Sequence, residues 1–148
     1  MSTTNIPDLP FGTQLIGRTE KSLGAILDRI LRDSDLSEPE YVAMRVCAVH
    51  PGRPRAEITA QLTTVFRKGE AHAAALIDRL IAAGIVESDS AGSLQLSPAG
   101  VQLNGRITAE TDAVTARLWG DLPAEDLTVA GRVLSTVLDR ANALLAAS

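Results

Sequence analysis

From Thr13 to Asp33 apolar residues return every three or four positions, as Leu15, Ile16, Leu23, Ile26, Leu27, Ile30 and Leu31, while Arg18, Glu20, Lys21, Asp28 and Arg29 take the other faces. That period predicts a long amphipathic helix. Residues 1–12 have no such period and contain Pro7, Pro10 and Gly12, which predicts a loose arm. In Leu36-Ser37-Glu38-Pro39-Glu40-Tyr41, Ser37 can cap a helix, Glu40 can complete a capping box and Leu36 can staple against Tyr41. The second helix so begun runs through Val42, Met44, Val46 and Val49 and stops at Pro51-Gly52. A third starts at Pro54 or Arg55, with Ile58 and Leu62 one turn apart. A fourth starts at Gly69 or Glu70 and carries Ala73, Leu76, Ile77, Leu80 and Ile81 to a stop at Gly84.

After Gly84 the period falls to two. Ile85-Val86-Glu87-Ser88 and Ser93-Leu94-Gln95-Leu96 flank Asp89-Ser90-Ala91-Gly92, the pattern of a short hairpin with a glycine available for positive φ. Ser97-Pro98 is a cap followed by a proline at the first helical position, so a fifth helix begins there, with Leu103, Ile107, Val114 and Leu118 on its apolar side. Gly120 to Pro123 interrupts it. The sixth helix carries Leu127, Ala130, Leu134, Val137, Leu138, Ala141, Leu144 and Leu145 almost to the C-terminus.

Composition agrees with a mainly α protein. Apolar residues make up 45% and aromatics only 3%, so the core must be built from Ala, Leu, Val and Ile, which suits packed helices better than a β-sandwich. A chain of 148 residues fits one domain, residues 1–148, rather than two independent ones. The single cysteine, Cys47, excludes an internal disulfide framework and a cysteine-rich zinc site and suits a reducing compartment. Its apolar neighbours Val46 and Ala48 favour a buried, inert thiol. Met1 to Pro10 lacks the apolar stretch of a signal peptide, and no apolar run approaches membrane-spanning length, so the expected location is the cytoplasm, without a membrane partner.

The formal charge of -4 argues against indiscriminate binding to nucleic acid, but its distribution changes the picture. Between His50 and Val86, Arg53, Arg55, Arg67, Lys68 and Arg79 outnumber Glu57, Glu70 and Asp78, giving that stretch +2 and the remainder -6. It is also the stretch that holds the third and fourth helices. Four helices, a hairpin and two more helices is winged helix-turn-helix order, in which the second helix of the motif enters the major groove. A lobe at 37–97 would hold that motif. The helices at 13–33 and 98–146 carry more apolar surface than so small a lobe can cover, and the same helices of a second subunit would bury it. Leu23, Ile26, Ile30, Leu127, Leu134, Leu138 and Leu145 are the candidate dimerisation residues.

Three stretches resemble the MarR family of transcriptional regulators. Leu76-Ile77-Asp78-Arg79-Leu80-Ile81-Ala82-Ala83-Gly84-Ile85-Val86 looks like the family's passage from recognition helix to wing. Leu96-Ser97-Pro98-Ala99-Gly100 resembles its junction from wing to helix, and Leu122-Pro123-Ala124-Glu125-Asp126-Leu127 is similar to the start of its last helix. The likeness covers roughly residues 13–145. It implies a homodimer with interlocking N- and C-terminal helices that reads a palindromic double-stranded DNA operator, usually as a repressor. It also implies release by a small aromatic or phenolic effector held in a crevice between the dimer base and the DNA lobe.

Within that frame Arg67, Lys68 and His72 would meet DNA at the start of the fourth helix, with Arg53 and Arg55 on a flanking phosphate. Two features depart from the family pattern. The recognition stretch Glu70-Ala71-His72-Ala73-Ala74-Ala75 offers few hydrogen-bond donors, and the hairpin tip from Glu87 to Gly92 has no basic residue. About four extra residues also separate Gly52 from Gly84, to be absorbed by a longer third helix or a wider turn around Thr63 to Lys68. These features keep a second reading open, a winged-helix dimer that has lost operator reading and acts through protein contacts or ligand binding. His50 and His72 are too isolated for a metal site, no cofactor motif is present, and no nucleophile elbow, paired-carboxylate site or phosphate loop suggests an enzyme. Trp119 is read as a core residue rather than the wall of a ligand crevice.

Overall fold

A computed structural model describes residues 8–147; of the expected N-terminal arm, residues 1–7 lie outside it. Helix α1 spans Thr13–Leu31 and tightens into a 3-10 turn at Arg32–Ser34, after which Asp35 takes a left-handed conformation. Helix α2 spans Glu38–Val49, strand β1 Arg53–Pro54, α3 Arg55–Phe66, α4 Glu70–Ala82, β2 Val86–Ser88, β3 Ser93–Leu96, α5 Pro98–Trp119 and α6 Ala124–Ala146. The six helices and the hairpin that the periodicity predicts are all present. Two compact units divide the chain, one reaching to Thr111 and one beginning at Asp112.

In the first unit the caps explain where α2 begins. The Ser37 hydroxyl oxygen accepts from the Glu40 amide at 3.3 Å and donates to the Glu40 carboxylate at 2.8 Å. Glu40 therefore closes the box on the serine hydroxyl. Leu36 is buried, and Tyr41 packs against the same core. That core is aliphatic, as the scarcity of aromatic residues requires: Leu31, Met44, Cys47, Ile58, Leu62, Leu76, Ile77, Leu80, Leu94 and Ile107 are its largest fully buried side chains. Helix α4 gives it Ala73, Leu76, Ile77 and Leu80, one inner face at helical spacing, and truncating one of the leucines to alanine would cost about 2–5 kcal/mol.

Periodicity did not reveal β1, because two residues are too few to show an alternation. Arg53 and Pro54 pair antiparallel with Leu94 and Ser93, so the hairpin is part of a three-stranded sheet in the order β1-β3-β2. The proline is accommodated because β1 is an edge strand. Backbone bonds from Gly52 to the Leu94 carbonyl at 2.9 Å and from Arg55 to the Gly92 carbonyl at 3.1 Å tie the start of α3 to the hairpin.

The junction from wing to α5 is held by Ser97. Its hydroxyl oxygen accepts from the Gly100 amide at 3.0 Å and donates toward the carbonyls of Gly84 and Ile85, so one side chain caps α5 and ties it to the end of α4. On α2, Arg45 donates to the Asn104 side-chain oxygen of α5 at 3.1 Å.

The second unit holds the last turns of α5, the turn at Gly120–Pro123 and α6. Glu125 and Asp126 lie in the first turn of α6, where acidic groups complement the helix dipole. No residue of α6 is buried, and Leu134 and Leu138 are 46% and 60% exposed. Trp119 corrects the expectation of core packing: it is 41% exposed. It is the last residue of α5, and no residue of the adjoining α6 is buried.

Candidate nucleic-acid interface

Helices α3 and α4 form the helix-turn-helix pair, and the turn between them is built from three residues. Arg67 caps α3 in the left-handed region, φ 56°, with its amide donating to the Thr63 carbonyl at 2.9 Å. Gly69, φ 91°, then turns the chain into α4, and Ala73 bonds back to its carbonyl at 3.3 Å. Helix α3 thus runs to Phe66, and a tight turn of three residues separates it from α4. Arg67, Lys68 and Gly69 are all exposed, so both cations stand at the start of α4.

The other two candidate arginines carry partners that the sequence reading did not assign. Arg55 donates from one guanidinium nitrogen to Asp78 at 2.7 Å and lies 3.4 Å from the Ala74 carbonyl, linking the first turn of α3 to the middle of α4. Arg53 donates to Glu57 at 3.3 Å and to Gln61 at 2.7 Å. The spacing of Arg53 and Glu57, four apart across the start of a helix, was the available signal for one of these pairs. Nothing in the sequence pointed to the approach of Arg55 and Asp78, which are 23 residues apart. Both pairs are substantially exposed, so each contributes at most about 1 kcal/mol to stability.

His72 takes a different position from the one expected of a base-reading side chain. Its ring meets the Phe66 ring edge-on at a centroid distance of 5.9 Å, and its Nε2 is buried without a hydrogen-bond partner. The cause is helical geometry: position 72 borders the inner face formed by Ala73, Leu76 and Ile77, and Phe66 at the end of α3 covers it. The outward positions of α4 are Glu70, Ala71, Asp78, Arg79 and Ala82, with Ala74 and Ala75 half-buried.

Between the two helices lies a recess of about 570 Å³ lined by Arg55, Ala56, Thr59, Ala60, Thr63, Glu70 and Ala74. Small side chains on both walls leave this space. The wing beyond it is short, and Asp89 organises its tip, accepting from the amides of Ala91 and Ser93 at 2.9 Å each.

The candidate dimerisation residues fall into two groups. Leu127, Leu134, Leu138 and Leu145 are exposed on α6. On α1, Leu23 is 36% exposed and Ile26 half-buried, whereas Ile30 packs against the core of its own unit and has less surface to offer a partner. Cys47 is fully buried, and desolvation pushes its thiol from 9.0 up to about 11, which suits an inert core thiol. Among the described residues no three His, Cys, Asp or Glu side chains group as metal ligands, and no helix is long and apolar enough to cross a membrane.

No protein-family model and no curated protein sequence matches the chain. Solved structures do. The Mycobacterium tuberculosis MarR family protein Rv2887 in complex with DNA is 25% identical, with a TM-score of 0.65 over 88% of this chain and 98% of that one. The same protein in complex with p-aminosalicylic acid aligns at 23% identity and a TM-score of 0.65, over 87% and 98% of the two chains. A MarR protein from Peptoclostridium difficile aligns at 14% identity with a TM-score of 0.70 and 95% of each chain covered. Helix order, the three-stranded wing and these likenesses agree, and the chain has the winged-helix fold of these MarR-family structures.

Proposed function

We propose that the protein is a DNA-binding transcriptional regulator, acting as a homodimeric repressor on a palindromic operator in the cytoplasm. The observation that carries this reading is the exposed pair Arg67 and Lys68 in the tight turn that opens α4, with Arg55 on α3 and Arg53 on the strand just before it. In such motifs the start of the second helix meets the major groove and nearby cations neutralise phosphates. The DNA complex of Rv2887 supports the assignment. Contact by His72 with a base edge would require its ring to leave Phe66. The exposed apolar residues of α6, with Leu23 and Ile26 of α1, support assembly with a second copy. Response to a small aromatic or phenolic effector is supported by the p-aminosalicylic acid complex of Rv2887.

The test is binding of the purified protein to DNA from its own promoter across a range of salt. Replacing both Arg67 and Lys68 by alanine should weaken binding to every sequence and make the slope of log affinity against log salt shallower by about two. An unchanged slope in a folded double variant would move the contact away from this turn. A second reading has its own support: Arg53 and Arg55 are engaged by carboxylates, α4 is rich in alanine and the wing tip is acidic. Failure of the wild type to bind any promoter fragment would favour this dimer acting through protein contacts or ligand binding.

A further inference from the structure

The recess between α3 and α4 has walls whose chemistry is unusually restricted for a surface facing DNA. Ala56, Ala60 and Ala74 contribute methyl groups. The two threonines that line it have spent their protons on their own helix, Thr59 on the Arg55 carbonyl at 2.8 Å and Thr63 on the Thr59 carbonyl at 2.7 Å. Arg55, at one edge, is directed to Asp78. The remaining polar side chain is Glu70, and a carboxylate repels phosphate. The recess therefore offers carbon surface, a negative edge and little hydrogen-bond donation to an incoming group.

Resting on the DNA-binding reading above, we propose that this recess determines sequence preference by receiving the C5-methyl groups of thymine. The thymine methyl is the one apolar group that the four common bases present in the major groove, and alanine and threonine methyls are suitable partners for it. The first half of α4 carries Glu70 and Ala74 into the recess, and in a helix-turn-helix this half approaches the base edges. Glu70 adds a bias at the neighbouring position, because a carboxylate can accept from the amino group of cytosine but not from the carbonyl edges of thymine or guanine. The preferred site is thus rich in thymine at the positions facing α4, and it is selected by burial of methyl groups more than by arginine forks.

The experiment uses the full chain and duplexes recovered with it from a random-sequence pool. The best duplex is compared with the same duplex carrying deoxyuridine at every thymine, which keeps the pairing and the phosphates and removes only the methyl. Affinity should fall about fourfold for each contacted methyl, with the salt slope unchanged. Ala74→Gln, which fills the recess, should bind the two duplexes alike. If the wild type binds a selected duplex and its uracil form equally well, methyl recognition is overturned while the DNA-binding reading stands. If the pool yields nothing bound better than random DNA, both fall and a protein partner is favoured. Since the uracil comparison needs only the wild type, poor folding of Ala74→Gln would not rescue the proposal.

Discussion

A β-carbon at Gly100 would lie 2.1 Å from the carbonyl oxygen of Ile85 and 3.0 Å from its carbon. Both atoms are backbone, so no side chain can swing aside, and the start of α5 or the turn after α4 would have to retreat by about 1 Å to reach ordinary carbon–oxygen contact. The same carbonyl accepts from the Ser97 amide at 2.9 Å and from its hydroxyl at 3.2 Å, so retreat weakens both bonds. Overpacking of this kind costs about 1–3 kcal/mol and each weakened bond up to about 1 kcal/mol, while alanine in place of glycine returns at most about 1 kcal/mol of helix propensity. Gly100→Ala should therefore destabilise by about 3 kcal/mol and lower Tm by roughly 6–12 °C. Gly105, in the same helix, and Gly131, in α6, have nothing within 4 Å of the corresponding position, so alanine there should stabilise by about 0.5–1 kcal/mol. Thermal and urea unfolding followed by far-UV circular dichroism would compare the three variants. Gly100→Ala melting at or above the wild type would refute the claim that only glycine fits this crossing.

Three further outcomes are expected. Asp78→Asn should release Arg55 and tighten DNA binding with little change in salt slope, for at most about 1 kcal/mol of stability; unchanged affinity in fluorescence anisotropy would show that Arg55 meets no phosphate. Cys47, whose thiol is raised from 9.0 to about 11, keeps its proton in the folded state at pH values where the unfolded chain has lost it. Stability should accordingly decline as pH rises from 9 towards 11, by up to about 2–3 kcal/mol, and urea titrations of Cys47→Ala should lack this alkaline decline; an equal slope in both proteins would exclude Cys47 as its source. Leu134→Glu or Leu138→Glu should abolish self-association in sedimentation velocity, because a carboxylate buried without a partner costs several kcal/mol. A wild type that sediments as a monomer at micromolar concentration would remove the premise.

The helices could be read from sequence because each carries its own period and its own stop signal. Ser37, Gly84 and Ser97-Pro98 mark boundaries through local chemistry that needs no tertiary information. What escaped the reading depends on contacts made across the chain. Strand β1 exists because Arg53 and Pro54 meet β3 some forty residues later, and two residues cannot display a strand's alternation. Asp78 counts in the sequence only as one negative charge of its stretch, and folding brings Arg55 to 2.7 Å from it. His72 had the right position in sequence for a base contact. The side to which its ring turns, however, was decided by Phe66 at the end of α3, a contact between two helices that the sequence does not display.

Those contacts alter how the charge of this chain should be understood. Counting residues gives the stretch from His50 to Val86 a surplus of two positive charges, yet Arg53 and Arg55 already face Glu57 and Asp78 at 3.3 and 2.7 Å. Each pair is exposed and worth little, so exchanging a carboxylate for a phosphate is a small step in energy. On the DNA-binding reading, the exchange would be driven mainly by release of counterions from the duplex and opposed by the excess negative charge elsewhere in the chain. Arg67 and Lys68 are exposed at the turn that opens α4. On the DNA-binding reading, the exposure of both cations would let that turn supply the initial, sequence-independent attraction, and the paired arginines would engage once the lobe is seated. If so, Arg67→Ala and Lys68→Ala should mainly lower the association rate, whereas Asp78→Asn should mainly lower the dissociation rate. Stopped-flow measurements on one duplex would separate the two, and equal effects of all three substitutions on association would show that the arginines act as one undivided patch.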